Sequence, residues 1–177
     1  MTEAIRYLAF LLFPLGMAFA AASDLFTMTI SNWLTLALVA AFLLAAFLLG
    51  MDLHTFAIHL AAGAGILILG FLCFAFGWIG GGDAKFAAII ALWFGAEGSV
   101  EFLGLASVIG GGLTLLVLVF RASVLPAIIV RQPWIQRLHD RQQGVPYGIA
   151  LAAAALLVYP HTQWMTMAGL GRWAAGE

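Results

Sequence analysis

The sequence predicts an all-α membrane protein, with about six transmembrane helices packed in one bundle. Three observations carry this prediction. The first is composition: of 177 residues, 64% are hydrophobic and 8% are charged, where a soluble domain carries about 25% charged residues. A soluble domain of this size buries only about two-thirds of its accessible surface, too little to hide so much apolar area. The second is pattern. The apolar residues come in long runs and do not alternate, which favours helices over the strands of a transmembrane barrel. A helix also satisfies its own backbone groups inside lipid. The third is charge. The net charge is −1, which implies no nucleic-acid or other polyanionic partner.

The elements follow in order. A hydrocarbon core about 30 Å thick takes about 20 helical residues to cross. Runs at 5–22, 33–50 and 56–77 meet that length or come close to it. The run at 84–94 is short, and counts as a fourth crossing that either extends through the preceding Gly-Gly-Asp stretch or sits as a half-buried helix. Runs at 100–120 and 147–167 complete the set. The whole chain, 1–177, reads as one integral-membrane domain. The substantial polar connection, 121–144, holds Arg121, Arg131, Arg137, Arg141, His139 and Asp140 with Pro126 and Pro133. It reads as a cytoplasmic or interfacial loop, with part of 124–134 lying on the membrane surface. Ala18-Phe19-Ala20 has the form of a signal-peptidase site, but Glu3 offsets Arg6 ahead of it, so cleavage is not expected. Trp33, Trp78, Trp134 and Trp164 stand near helix ends as interfacial anchors do. Gly63 with Gly65, and Gly110-Gly111-Gly112, read as close helix packing. Cys73 reads as packing in an apolar run, and as the single cysteine it forms no internal disulfide or CxxC site.

With six crossings, alternate connections share a side. The loops at 23–32, 78–85 and 121–146 carry Lys85, Arg121, Arg131, Arg137 and Arg141. The opposite side carries Arg6 and Arg172, with Glu3, Asp52, Glu97, Glu101 and Glu177. The basic residues place the first side in the cytoplasm.

In so apolar a chain, every acid near a helix end is a candidate functional group. Asp83 lies in Gly80-Gly81-Gly82-Asp83-Ala84-Lys85, at the head of an apolar helix. One reading makes Asp83 an N-cap or first-turn residue that suits the positive end of the helix dipole. Lys85 then either reaches for lipid headgroups or favours the ionised form of Asp83. Asp24 ends the first run, and its plain reading is again a loop or cap residue. Topology adds a second reading, because Asp24 and Asp83 fall in connections on the same face. Two carboxylates brought together do not both ionise readily, so one takes a proton from water while the other, protonated, polarises a peptide carbonyl. Zinc-protease and serine-elbow motifs are lacking. His54, His59, His139 and His161 are scattered, and no metal site or cofactor is expected.

These residues resemble a known family. Asp24 followed by Ile30 and Asn32, and then Gly80-Gly81-Gly82-Asp83-Ala84-Lys85, resemble the two motifs of the GxGD aspartyl proteases, specifically the type IV prepilin peptidases. Val145-Pro146-Tyr147-Gly148, opening the last helix, resembles a third and less diagnostic stretch. Ser31 departs from the Pro that the family often has before the Asn. The resemblance implies catalysis by Asp24 and Asp83, supported by Gly80, Gly82, Lys85, Asn32, Pro146 and Tyr147, with no cofactor. It implies a bilayer-embedded enzyme of the cytoplasmic (inner) membrane. Its partner is a prepilin or pseudopilin, with the leader in the cytoplasm ahead of a transmembrane helix. A single cysteine leaves no paired CxxC motifs of the kind carried by a methyltransferase region. The chain is therefore similar to the short, peptidase-only branch that serves Flp-type (tight-adherence) pili, with the short archaeal preflagellin peptidases also open. Two other classes remain to be weighed: a small transporter or channel with Asp83 and Lys85 as coupling site, and a non-catalytic partner in pilus assembly.

Overall fold

The computed structural model describes residues 3–124, 126 and 131–167, with side chains from Phe10 onward. These residues form helices joined by turns, with no strand among them. The order is α1 (Glu3–Thr27), α2 (Asn32–Leu48), α3 (Leu53–Ala75), α4 (Gly81–Ala122), α5 (Pro133–His139) and α6 (Tyr147–Val158). A 3₁₀ turn, Tyr159–His161, then leads into α7 (Gln163–Met167). Helices α1, α3 and α4 contain apolar stretches long enough to cross a membrane, and α2 and α6 are shorter and equally apolar. The chain is a polytopic helical membrane protein.

Helix α4 consists of two arms that run in opposite directions. Gly95 breaks it with φ 67° and ψ −168°, a conformation essentially confined to glycine. Asp83 and Thr114 line one cavity, although a straight helix would hold them about 46 Å apart. The short run at 84–94 is therefore an arm of its own, the first half of α4. It is also the centre of the bundle: Phe86, Ile90, Ala91 and Trp93 have no exposed surface. An arm over residues 81–94 is about 21 Å long, well short of a hydrocarbon core of about 30 Å.

Helix α3 packs along α4, and α6 packs against both α1 and α4. The α3–α4 approach is close because small residues meet there. A Cβ on Gly63 would stand 3.0 Å from Leu92 Cβ, and one on Gly70 would stand 3.0 Å from Ala84 Cβ. The packing pair on α3 is thus Gly63 and Gly70, not Gly63 and Gly65. Seven residues bring a helix back to the same face and two do not, and Gly65 faces open space. Of the triple glycine, Gly110 alone meets a neighbour, the ring of Tyr147, while Gly111 and Gly112 have nothing within 4 Å.

An aromatic cluster fills the end of the bundle around the Gly95 reversal. Trp93 packs against Phe13 at 5.0 Å, Trp164 at 5.0 Å and Phe42 at 5.9 Å. The indole of Trp93 donates to the Leu38 carbonyl at 3.1 Å, and that of Trp164 donates to the Trp93 carbonyl at 2.5 Å. Trp164 is therefore core and not an interfacial anchor, because the turn after α6 folds it back under the bundle. Trp33 and Trp78 fit the anchor reading, at 83% and 74% exposed. Trp134 lies between, edge-on to Phe26. His59 is buried in the same region, with Nδ1 2.8 Å from the Leu92 carbonyl and its other nitrogen against Gln163. Of the surface stretch expected within 124–134, residues 125 and 127–130 lie outside the described residues.

Candidate active site

The connections 28–31, 76–80 and 140–146 meet at the other end of the bundle. They surround a cavity of about 880 Å³ lined by Asp24, Ile30, Gly80, Gly82, Asp83, Lys85, Thr114, Pro146 and Tyr147, among others. Both candidate carboxylates thus open onto one space, close enough for the charge of one to act on the other.

Asp24 sits in the last turn of α1 and is 4% exposed. The turn is held by local bonds. The Ser23 hydroxyl donates to the Thr29 carbonyl at 3.0 Å, the Thr27 hydroxyl donates to the Ser23 carbonyl at 2.7 Å, and the Met28 N–H donates to the Asp24 carbonyl at 2.8 Å. Met28 takes φ 53° to close the helix, a left-handed conformation that costs a non-glycine residue about 1–2 kcal/mol. Met28 also lines the cavity.

Asp24 does not cap its own helix. Its carboxylate lies against the backbone of Gly148 at the start of α6. The N-cap of α6 is Pro146, which makes no side-chain capping bond. The first N–H groups of a helix are short of partners within it; the Ile149 N–H donates to the Pro146 carbonyl at 3.3 Å, and the start of α6 lies against the acid brought by α1. Oδ2 of Asp24 is buried without a hydrogen-bond partner among the described residues. The fit depends on Gly148, where a Cβ would stand 2.8 Å from Asp24 Oδ2 and 2.8 Å from Ile30 Cδ1.

Asp83 is a first-turn residue of α4, and the N-cap is Gly80. The Asp83 carboxylate lies beside the Gly80 N–H. A Cβ on Gly80 would come 2.9 Å from Asp83 Oδ2, whereas Gly82 has nothing within 4 Å. The two glycines of the motif therefore differ. Gly80 makes room for the carboxylate, and Gly82 leaves the cavity wall bare.

The Lys85 ammonium donates to Asn32 Oδ1 at 2.6 Å, joining the start of α2 to the start of α4. Ser31, in the position of the family's frequent Pro, caps α2 by accepting from the Leu34 N–H at 3.2 Å. Pro146 is buried and Tyr147 half-buried in the cavity wall. The structure thus gathers Asp24, Gly80, Gly82, Asp83, Lys85, Pro146 and Tyr147 around one space, with Asn32 attached through Lys85. Sequence reasoning passed over Gly148, Ile30 and Met28 as site residues. Ile30 and Gly148 each carried a signal, as parts of the quoted Asp24–Ile30–Asn32 and Val-Pro-Tyr-Gly stretches.

Two carboxylates from separate helices, facing one cavity at the end of a membrane bundle, define the class of this site: a membrane-embedded pair of acids. The sequence profile of the type IV leader peptidase family matches residues 11–115. The chain belongs to that family and is a peptidase. Comparison with curated proteins and with solved structures finds no match.

Proposed function

We propose that this protein is an intramembrane aspartyl endopeptidase that removes the leader of prepilin-like substrates at the cytoplasmic face of the inner membrane. The observation that carries the reading is the convergence of Asp24 and Asp83, from two separate motifs, on one cavity. One carboxylate, ionised, takes a proton from water as the oxygen attacks the scissile carbonyl. The other, protonated, donates to the carbonyl oxygen and the pair then supplies a proton to the departing nitrogen. Membership of the leader peptidase family supports peptide-bond hydrolysis at this site.

The cytoplasmic assignment rests on the basic residues of the connections at this end, Lys85, Arg121, Arg131, Arg137 and Arg141. The partner is a prepilin whose leader lies in the cytoplasm and whose apolar helix lies in the bilayer. The product is released without N-methylation, consistent with the single cysteine. Co-expression of the enzyme with an Flp-type prepilin tests the reading. Asp24→Asn and Asp83→Asn should each insert normally and abolish leader removal, and mass spectrometry of the processed pilin should find an unmethylated N-terminus. Normal processing by either variant defeats the assignment. With the purified enzyme, cleavage should fall at both low and high pH, because one proton must be held by the pair.

A further inference from the structure

We propose that Arg121 is a positioning residue that holds the start of α6 against Asp24. The proposal rests on the reading of Asp24 and Asp83 as the catalytic pair, and it concerns a part of the chain beyond the residues matched by the family profile.

Arg121 lies in the last turn of α4 and is 8% exposed. A cation so buried is normally paired with an acid. Arg121 instead spends its donors on backbone: Nε donates to the Leu138 carbonyl at 2.8 Å, and Nη2 donates to the Gly144 carbonyl at 2.7 Å. These carbonyls bracket the turn between α5 and α6, which Asp140 tightens by accepting from the Gln142 N–H at 2.9 Å. Gly144 stands immediately before Val145-Pro146, and Pro146 is the N-cap of α6. One guanidinium therefore fixes the segment that brings the start of α6, at Gly148, against Asp24. The planar fork reaches two separately placed carbonyls, which a single ammonium cannot match.

The consequence is electrostatic as well as geometric. The uncapped start of α6 presents partial positive charge to Asp24. If the segment drifts, Asp24 loses that positive helix end and its aim into the cavity. A misplacement of about 1 Å at a reacting group costs up to about a hundredfold in rate.

The test uses the full-length enzyme in detergent with a purified Flp-type prepilin, cleavage being followed by mass, for Arg121→Gln, Arg121→Lys and the wild type. Arg121→Gln should lower kcat/KM roughly ten- to a hundredfold. It should also move the acid limb of the pH–rate profile away from that of the wild type, as Asp24 loses the positive helix end beside it. Arg121→Lys should fall between Arg121→Gln and wild type in both respects. A loss of folded enzyme only scales the profile, so a lower rate with an unmoved acid limb overturns the proposal, as does wild-type behaviour. If Arg121→Gln does not fold, Arg121→Lys decides alone, and a wild-type profile in that variant overturns it. Asp24→Asn in the same assay separates the two readings. Activity in Asp24→Asn defeats the catalytic pair, whereas an inactive Asp24→Asn beside an unmoved Arg121 profile defeats only the clamp.

Discussion

Asp24 and Gly148 depend on each other at the distance of a single carbon. Adding a methyl group at Gly148 places it 2.8 Å from both Asp24 Oδ2 and Ile30 Cδ1, so the acid, the isoleucine or the helix must yield. Gly148→Ala should lose about 1–3 kcal/mol of stability and up to about a hundredfold in leader cleavage. Gly111→Ala, where nothing lies within 4 Å, should leave cleavage and thermal unfolding near wild type. Side-by-side processing and melting of the two variants checks this. At this scale the acids were legible because an ionisable residue stands out in an apolar chain. Their companions were not. Gly148 and Arg121 look like a helix glycine and a loop arginine until the packing shows what each touches. The same holds for Lys85, whose partner Asn32 lies on another helix.

Among the elements, α4 is the one whose form departs most from a simple span. Its two arms meet at Gly95, where φ is 67° and a Cβ would stand 3.0 Å from His59 Nε2. Gly95→Ala should cost about 1–3 kcal/mol, or roughly 2–4 °C of melting temperature per kcal/mol for a domain this long. Thermal unfolding in detergent measures it, and an unchanged melting point would show that the reversal tolerates a side chain. The α3–α4 contact makes a second demand: Gly70→Leu should separate the helices, since even a Cβ there meets Ala84, and should destabilise more than Gly65→Leu. The six apolar segments were visible in sequence through run length alone. The short one was ambiguous because length cannot distinguish a half-buried helix from a central arm. Burial on all sides of Phe86, Ile90 and Trp93 distinguishes them.

Across the whole molecule, the helices are unequal in length, and the first arm of α4 is about 9 Å shorter than a typical hydrocarbon core. If its Gly95 end lies at one interface, the carboxylates begin below the other. A bilayer thinned to match the arm relieves this mismatch at a cost of fractions of a kcal/mol per Å. Enzyme reconstituted in phosphatidylcholines of increasing chain length should therefore cleave faster in thin bilayers than in thick ones. A rate independent of thickness would count against a recessed site. The membrane orientation has its own check. Cysteine placed at Gln143 should react with an impermeant maleimide from the cytoplasmic side, and cysteine at Glu97 from the opposite side.

Composition and run length together required a helical membrane protein, because water cannot solvate this much apolar surface, lipid cannot solvate an unpaired backbone, and long apolar runs do not suit a barrel. The two motifs, with the alternation of crossings, were enough to bring Asp24 and Asp83 to one face. Folding settled what neither composition nor spacing encodes. It chose the helix start that lies against Asp24, the amide that holds Lys85, the carbonyls that bind Arg121 and the residue at which α4 turns back. Those are contacts between positions far apart in the chain. Their energies depend on separations of a few tenths of an ångström, which are set only when all the helices have packed.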